Sequence, residues 1–201
     1  MGQTMLEDGV AQIPIYTIGH GNRTLEEFIS LLRRYEIAFV IDVRSQPHSR
    51  YTPHFSREVL EISLQQQQMR YVFMGDTLGG RPEDDGCYVN GKPEYAIIKT
   101  KHFFLQGIER LRTAWEKQLR VAVLCSEAKP QQCHRSKLIG NTLVEQGVAV
   151  AHIDEHGLCK EQAEINALLT GGQQLLFADL SPVDVSGKIG RARKRTQGRE
   201  R

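Results

Sequence analysis

The sequence predicts a single α/β domain of three layers, α/β/α, around a mainly parallel sheet of about five strands. Two observations carry this. Five short apolar runs alternate with stretches whose apolar residues recur at helical spacing, the order that yields a parallel sheet with helices on both faces. Polar breaks follow the runs, as expected of loops at the carboxyl ends of such strands.

Taken in order, residues 1–14 form a loose lead-in, and Ile15 to Ile18 is the first strand, broken by Gly19-His20-Gly21-Asn22. Thr24-Leu-Glu-Glu27 is a capping box. Behind it Leu25, Phe28, Ile29 and Leu32 mark one helix face. Ala38 to Ile41 is the second strand, ending at Asp42-Val-Arg44. A polar loop with Arg44 and Arg50 follows, and Ser56 caps a helix reaching about Gln68. Tyr71 to Phe73 is the third strand. Residues 75–95 are rich in Gly, Asp and Pro, opening on Leu78-Gly-Gly-Arg81 and closing on Lys92-Pro-Glu-Tyr95; a loop this long is usually functional or mobile. A helix should cover about 96–117, with Phe104, Ile108, Leu111 and Trp115 inward. Val121 to Leu124 is the fourth strand. Ser136 to Gln146 is a helix stopped by Gly147, Val148 to Ile153 is the fifth strand, and a last helix near 160–170 ends at Gly171-Gly172.

At 201 residues and 40% hydrophobic composition the chain suits one domain, expected over 15–180. No apolar run reaches membrane-spanning length, and Glu7 and Asp8 spoil a secretory leader. A cytoplasmic protein is expected. Four scattered cysteines do not make a disulfide framework. The net charge of +2 conceals an asymmetry. Residues 188–201 hold seven basic residues and one acid, leaving 19 basic against 23 acidic in the rest. The segment 181–201 is expected to be a disordered tail, either simply solvated or able to touch nucleic acid phosphates.

The chemistry concentrates after the fourth strand, in Cys125-Ser-Glu127-Ala-Lys-Pro130-Gln-Gln-Cys133-His134-Arg135. Cys125 can be a nucleophile or persulfide carrier, its thiolate favoured by Arg135 and the following helix, or a small buried hydrophobe. Cys125, Cys133 and His134 also invite zinc, with His20 or Cys159 as a fourth ligand. Against that, adjacent Cys133 and His134 should point apart, and no metal ligand is assigned. Asp42 can orient its loop or act as a base. Arg44, Arg50, Arg81 and Arg135 can hold a carboxylate or phosphate. His20 can move a proton, and the Gly19–Asn22 turn allows close approach of an anion. Neither a dinucleotide-binding fingerprint nor a Walker A loop is present.

Thr17-Ile-Gly-His20-x-Asn22-Arg23, Asp42-Val-Arg44-Ser45-x-Pro47-x-Ser49-Arg50, Leu78-Gly-Gly-Arg81 and Cys125-x-Glu127-x-x-Pro130-x-x-Cys133-His134-Arg135 resemble, in order over about 15–155, the family known as domain of unknown function 488. That resemblance implies a small α/β domain without an agreed reaction. A more distant likeness is to rhodanese-type domains, carried by Ile41-Asp-Val-Arg44 and the strand ending at Cys125. Pro130 and the ten-residue step from Cys125 to Arg135 depart from their compact anion loop.

The expected site therefore lies at the strand carboxyl ends. Cys125, Glu127, His20, His134 and Asp42 are its candidates for chemistry. Arg44, Arg50, Arg81, Arg135 and Asn22 are its candidates for binding an anionic small molecule or nucleic acid. The cofactor is left open. Three alternatives remain: a non-catalytic nucleic-acid-binding module, thiol or persulfide chemistry, and a structural Cys/His metal site.

Overall fold

A computed structural model describes residues 12–169, and within them the five expected strands form one sheet. They are β1 (Ile15–Gly19), β2 (Phe39–Asp42), β3 (Arg70–Phe73), β6 (Val121–Cys125) and β7 (Val150–Ile153), ordered β3-β2-β6-β1-β7 and parallel throughout. A sixth short strand, β8 (Cys159–Glu161), pairs antiparallel with β7 at one edge. The parallel α/β class expected from the sequence is the class observed. Residues 1–11, the helix end at Gly171-Gly172 and the basic tail lie outside the described residues. Among the described residues no helix is long and apolar enough to cross a membrane.

Alternation along each strand divides the core in two. Val40, Ala122, Leu124, Ile18 and Ile153 face α1 (Leu25–Arg34) and α2 (Arg57–Gln66), against Phe28, Leu32, Leu60 and Leu64. Ile15, Ile41, Val121, Val123 and Val150 face the opposite layer. There Phe104, Ile108 and Leu111 of α5 (His102–Glu116) pack beside Leu138, Ile139 and Leu143. Those last three belong to a π-helical segment, Arg135–Gly140, that runs on into α6 (Asn141–Glu145). Full burial of each such side chain is worth about 1.5–3 kcal/mol. The helices that follow β1 and β2 thus lie on one face, and those flanking β6 on the other. Loops leaving adjacent strand ends part where such connections diverge, and a crevice opens there.

Local signals explain most boundaries. Thr24 accepts the Glu27 N–H while Glu27 accepts the Thr24 N–H, completing the expected capping box. Gly147 takes a positive φ of 78° and ends the helix before it. Three expectations need correction. The helix placed at 96–117 is two, α4 (Tyr95–Ile98) and α5, separated by Lys99–Lys101. Ser56 precedes α2 but does not cap it, because its hydroxyl accepts the Ser49 N–H instead. The segment 75–95 is structured, holding α3 (Gly75–Leu78) and a hairpin of β4 (Tyr88–Val89) with β5 (Lys92–Pro93).

Candidate functional site

The centre of the sheet sets the site. Asp42 ends β2, Cys125 ends the adjacent β6, and Gly19 pairs with Cys125 at the end of β1. Period-two alternation turns Cys125 to the α5 face with Val121 and Val123. The chain after β6 then doubles back. Pro130 opens a single 3-10 turn, Pro130–Gln132, closed by the Cys133 N–H on Pro130 O at 3.0 Å. This returns Cys133 and His134 to Cys125. Both thiols reach Glu127 Oε2, Cys125 at 2.9 Å and Cys133 at 3.0 Å. His134 Nδ1 lies 3.5 Å from Cys125 Sγ and 3.7 Å from Cys133 Sγ. The expectation that Cys133 and His134 point apart is therefore corrected. One ligand atom from each of Cys125, Glu127, Cys133 and His134 falls within 4.8 Å of the others, a set able to hold a metal ion.

A cleft of about 510 Å³ opens above this set. Arg44, Arg81, Tyr95, Cys125, Glu127 and His134 are among the residues that line it. Its volume is that of a small-molecule site. Arg44 is only 4% exposed and is gripped by Asp42, which is fully buried. Nε donates to Oδ1 at 2.9 Å and Nη2 to Oδ2 at 2.6 Å, while the Arg44 N–H also reaches Oδ1 at 3.1 Å. Tyr71, which the sequence marks only as strand, donates its hydroxyl to Asp42 Oδ2 at 2.7 Å. Nη1 of Arg44 makes no hydrogen bond among the described residues. Arg81 is exposed at the rim, its N–H held by Ser45 Oγ at 3.0 Å.

The glycines of Leu78-Gly79-Gly80-Arg81 have a packing role rather than that of a loose tip. A Cβ on Gly80 would stand 2.7 Å from His134 Cγ. Tyr95, at the end of the Gly/Asp/Pro-rich segment, also lines the cleft; no periodic signal marks it, though Lys92-Pro-Glu-Tyr95 closes that segment in sequence.

Four candidates stand apart. Arg135 is wholly buried and donates to the carbonyls of Glu127 and, at 2.9 Å, of Ala128. It fastens the loop and does not line the cleft. Its close approach is possible because residue 19 is glycine, where any Cβ would overlap Glu127 O and Arg135 Nη1. Arg50 is exposed and outside the cleft lining. Asn22 lines a separate cleft of about 550 Å³ with Arg23, Tyr51 and His54. His20 is stacked on Phe55, with ring centroids 4.5 Å apart, and neither it nor the exposed Cys159 joins the Cys/His set.

Electrostatics differ sharply among these groups. Burial lowers the His20 pKa to about 4, which keeps it neutral near neutral pH. Hydrogen bonding to Cys133, then burial and the charges of Cys133 and Glu127, push the Cys125 thiol well up. Burial would raise Cys133 too, but bonds from Cys125 and His134, aided by His134 and Arg135, bring it down to about 6. Burial opposes ionisation of Glu127, yet the two thiol bonds outweigh it and hold its carboxyl below the usual range. For Arg44 burial is again the largest effect, and the bond to Asp42 with its charge overcomes it, so the guanidinium holds its proton more tightly than usual.

The family model described as domain of unknown function DUF488 matches residues 24–141, more than half of the chain, and the chain belongs to that family. The match takes in Asp42, Arg44, Arg81 and the whole Cys125–Arg135 loop, and it begins after His20 and Asn22. No curated protein and no solved structure matches the chain.

Proposed function

We propose that this member of the DUF488 family is an enzyme that binds a small phosphate-bearing anion in the cleft above Cys125. The observation that carries the reading is the placement of Arg44. Asp42 occupies two of its guanidinium nitrogens and fixes the plane, and Nη1 makes no bond among the described residues, in a cleft also lined by Cys125, Glu127 and His134. A guanidinium fixed in this way gives directional, charge-assisted hydrogen bonds to an oxyanion. Arg81 at the rim supplies a second, more adjustable charge. The chemical step falls to the Cys125–Glu127–Cys133–His134 set at the floor, next to the bound anion.

Cleft size favours a nucleotide-sized or smaller ligand over a duplex. A persulfide carrier would need Cys125 as a ready thiolate, and the upward push on that thiol argues against it. The nucleic-acid-binding alternative rests on residues 188–201, outside the described residues.

Titration calorimetry of the full chain with orthophosphate, pyrophosphate and a nucleoside monophosphate tests the reading. At least one should bind at one per chain. A hydrogen bond to a charged group is worth about 1.5–3 kcal/mol, so Arg81→Gln should weaken binding by about 10-fold to 150-fold. Failure of all three to bind, or equal binding by the variant, would overturn the proposal.

A further inference from the structure

We infer that Cys125, Glu127, Cys133 and His134 form a zinc site, with Glu127 as the ligand that gives way to substrate or water. The inference deepens the cleft reading by naming the agent at its floor, and it rests on that reading only for what the open position faces.

The first argument is geometric. In a tetrahedron with Zn–S about 2.3 Å and Zn–N about 2.0 Å, neighbouring donor atoms stand roughly 3.5–3.8 Å apart. The His134 Nδ1 to Cys125 and Cys133 Sγ distances are 3.5 and 3.7 Å. Glu127 Oε2 sits closer to both sulfurs, at 2.9 and 3.0 Å, so the carboxylate has to draw back from them, and all four donor atoms already lie within 4.8 Å of one another. Two sulfurs, one imidazole nitrogen and one carboxylate oxygen are the ligand types zinc takes.

The second argument is that ordinary hydrogen bonding leaves the arrangement poorly explained. Two thiols, which are weak donors, converge on a single carboxylate oxygen. No salt bridge reaches Glu127 among the described residues. The His134 ring turns Nδ1 to the sulfurs and leaves Nε2 buried without a hydrogen-bond partner. A metal at the centre of the set would take Nδ1 as its ligand atom in this orientation. The Cys133 sulfur also accepts the Arg135 N–H at 3.4 Å, an outer contact of the kind that orients a ligand.

The division of labour follows from burial. Cys125 and Cys133 are buried, and Glu127 is exposed and lines the cleft. Catalytic zinc sites keep three protein ligands and one exchangeable position, and structural sites are closed by four. Cys125, Cys133 and His134 are the fixed three. The position held by Glu127 opens to the wall that carries Arg44. With two thiolates, a neutral imidazole and the carboxylate, bound Zn²⁺ leaves a net charge of −1. Replacing Glu127 by a neutral water leaves the zinc and its remaining ligands at zero net charge, with an exchangeable position.

The experiment uses the full chain stripped with a chelator and titrated with Zn²⁺ against a chromophoric competitor, with bound metal counted by elemental analysis. One zinc per chain is expected. Cys133→Ser should lose more than the roughly 10–100-fold that removal of an outer contact costs a metal site. Glu127→Gln should still bind one zinc, and Cys159→Ser should bind as the wild type. Less than half an equivalent in the wild type, or equal affinity in Cys133→Ser and Cys159→Ser, would overturn the inference. Co²⁺ in the unaltered protein gives a readout that needs no variant. Intense visible bands with a sulfur-to-cobalt charge-transfer band are expected, and a weak octahedral spectrum would overturn the assignment. Phosphate titration of the same samples separates the two proposals. Phosphate binding without zinc leaves the cleft reading standing and sinks this one, and zinc binding without any phosphate does the reverse.

Discussion

Replacing Asp42 by Asn should unfold the protein at a much lower temperature than its small change in shape suggests. Asp42 is fully buried and accepts four hydrogen bonds, three from Arg44 and one from Tyr71. Asparagine keeps one acceptor oxygen and gains an NH2 group. Whichever way the amide turns, a donor then faces either Arg44 Nε and N–H or Arg44 Nη2 and the Tyr71 hydroxyl. The guanidinium loses its countercharge while remaining buried. Removing one partner of a buried pair costs about 3–5 kcal/mol. For a chain of this size each kcal/mol moves the midpoint by about 2–4 °C, so a fall of about 6–20 °C is expected. Thermal unfolding followed by circular dichroism measures the fall and urea unfolding the free energy, with Arg44→Met and the double variant completing a cycle. The double variant should recover at least about 1 kcal/mol relative to the sum of the single changes, because it removes the stranded charge along with its partner. A loss under about 1 kcal/mol for Asp42→Asn, or strict additivity, would show that the pair is not what holds Arg44 in place.

Three other outcomes are expected. Gly80→Ala presses a methyl into the His134 ring; it should cost about 1–3 kcal/mol by overpacking and weaken the Co²⁺ spectrum in a protein that still folds, and an undisturbed spectrum would contradict the packing role. His152 is buried between Thr17 and Gln162, at 2.7 Å from each, and burial lowers its pKa to about 4 from an ordinary 6.5. Its neutral form favours folding above about pH 6.5, and protonation of the unfolded chain removes that stability as pH falls towards 4, by about 3 kcal/mol at most; the wild type should lose more stability than His152→Gln between pH 7 and 4, and parallel losses would count against it. Arg135→Met leaves the Glu127 and Ala128 carbonyls without their donors; at about 1.5–3 kcal/mol for each such bond, the loop should become open to cleavage by a glutamate-specific protease at Glu127, and unchanged resistance would show that Arg135 is not its fastening.

The sheet was legible because burial on both faces leaves a plain trace: Val121–Leu124 and Phe39–Ile41 are apolar without interruption. The capping box at Thr24 and the stop at Gly147 are equally local. What escaped has no local trace. Strands β4 and β5 are two residues each, too short for any period, and β8 is defined by its pairing with β7. The break at Lys99–Lys101 contains neither glycine nor proline, so nothing in the residue types interrupts the helical pattern there. At the site, the sequence located the strand ends but could not rank four arginines. Arg44, Arg50, Arg81 and Arg135 are chemically alike, and only the path of the chain sends one to an aspartate, one to solvent, one to the cleft rim and one to two buried carbonyls.

The loop after Cys125 also decides how an anion can be held at all. Rhodanese-type sites cradle it with backbone N–H groups, and the sequence departs from them at Pro130. In the structure several N–H groups in the second half of the loop are spent locally. Gln132 donates to Lys129 O, Cys133 to Pro130 O, Ser136 and Lys137 to Cys133 O, and Arg135 to the Cys133 sulfur. Residue 130 has no N–H to give. The donors committed there cannot turn to an oxyanion without breaking the 3-10 turn at Pro130–Gln132. The backbone instead fixes Cys133 and His134 beside Cys125. On the proposed reading, anion recognition falls to side chains: Arg44, held by Asp42, and Arg81, whose N–H is held by Ser45 Oγ. Under the two proposals together, the sulfur atoms and the arginines belong to two halves of one site: the β6 loop would hold a cation, and Arg44 of the β2 loop with Arg81 would hold an anion.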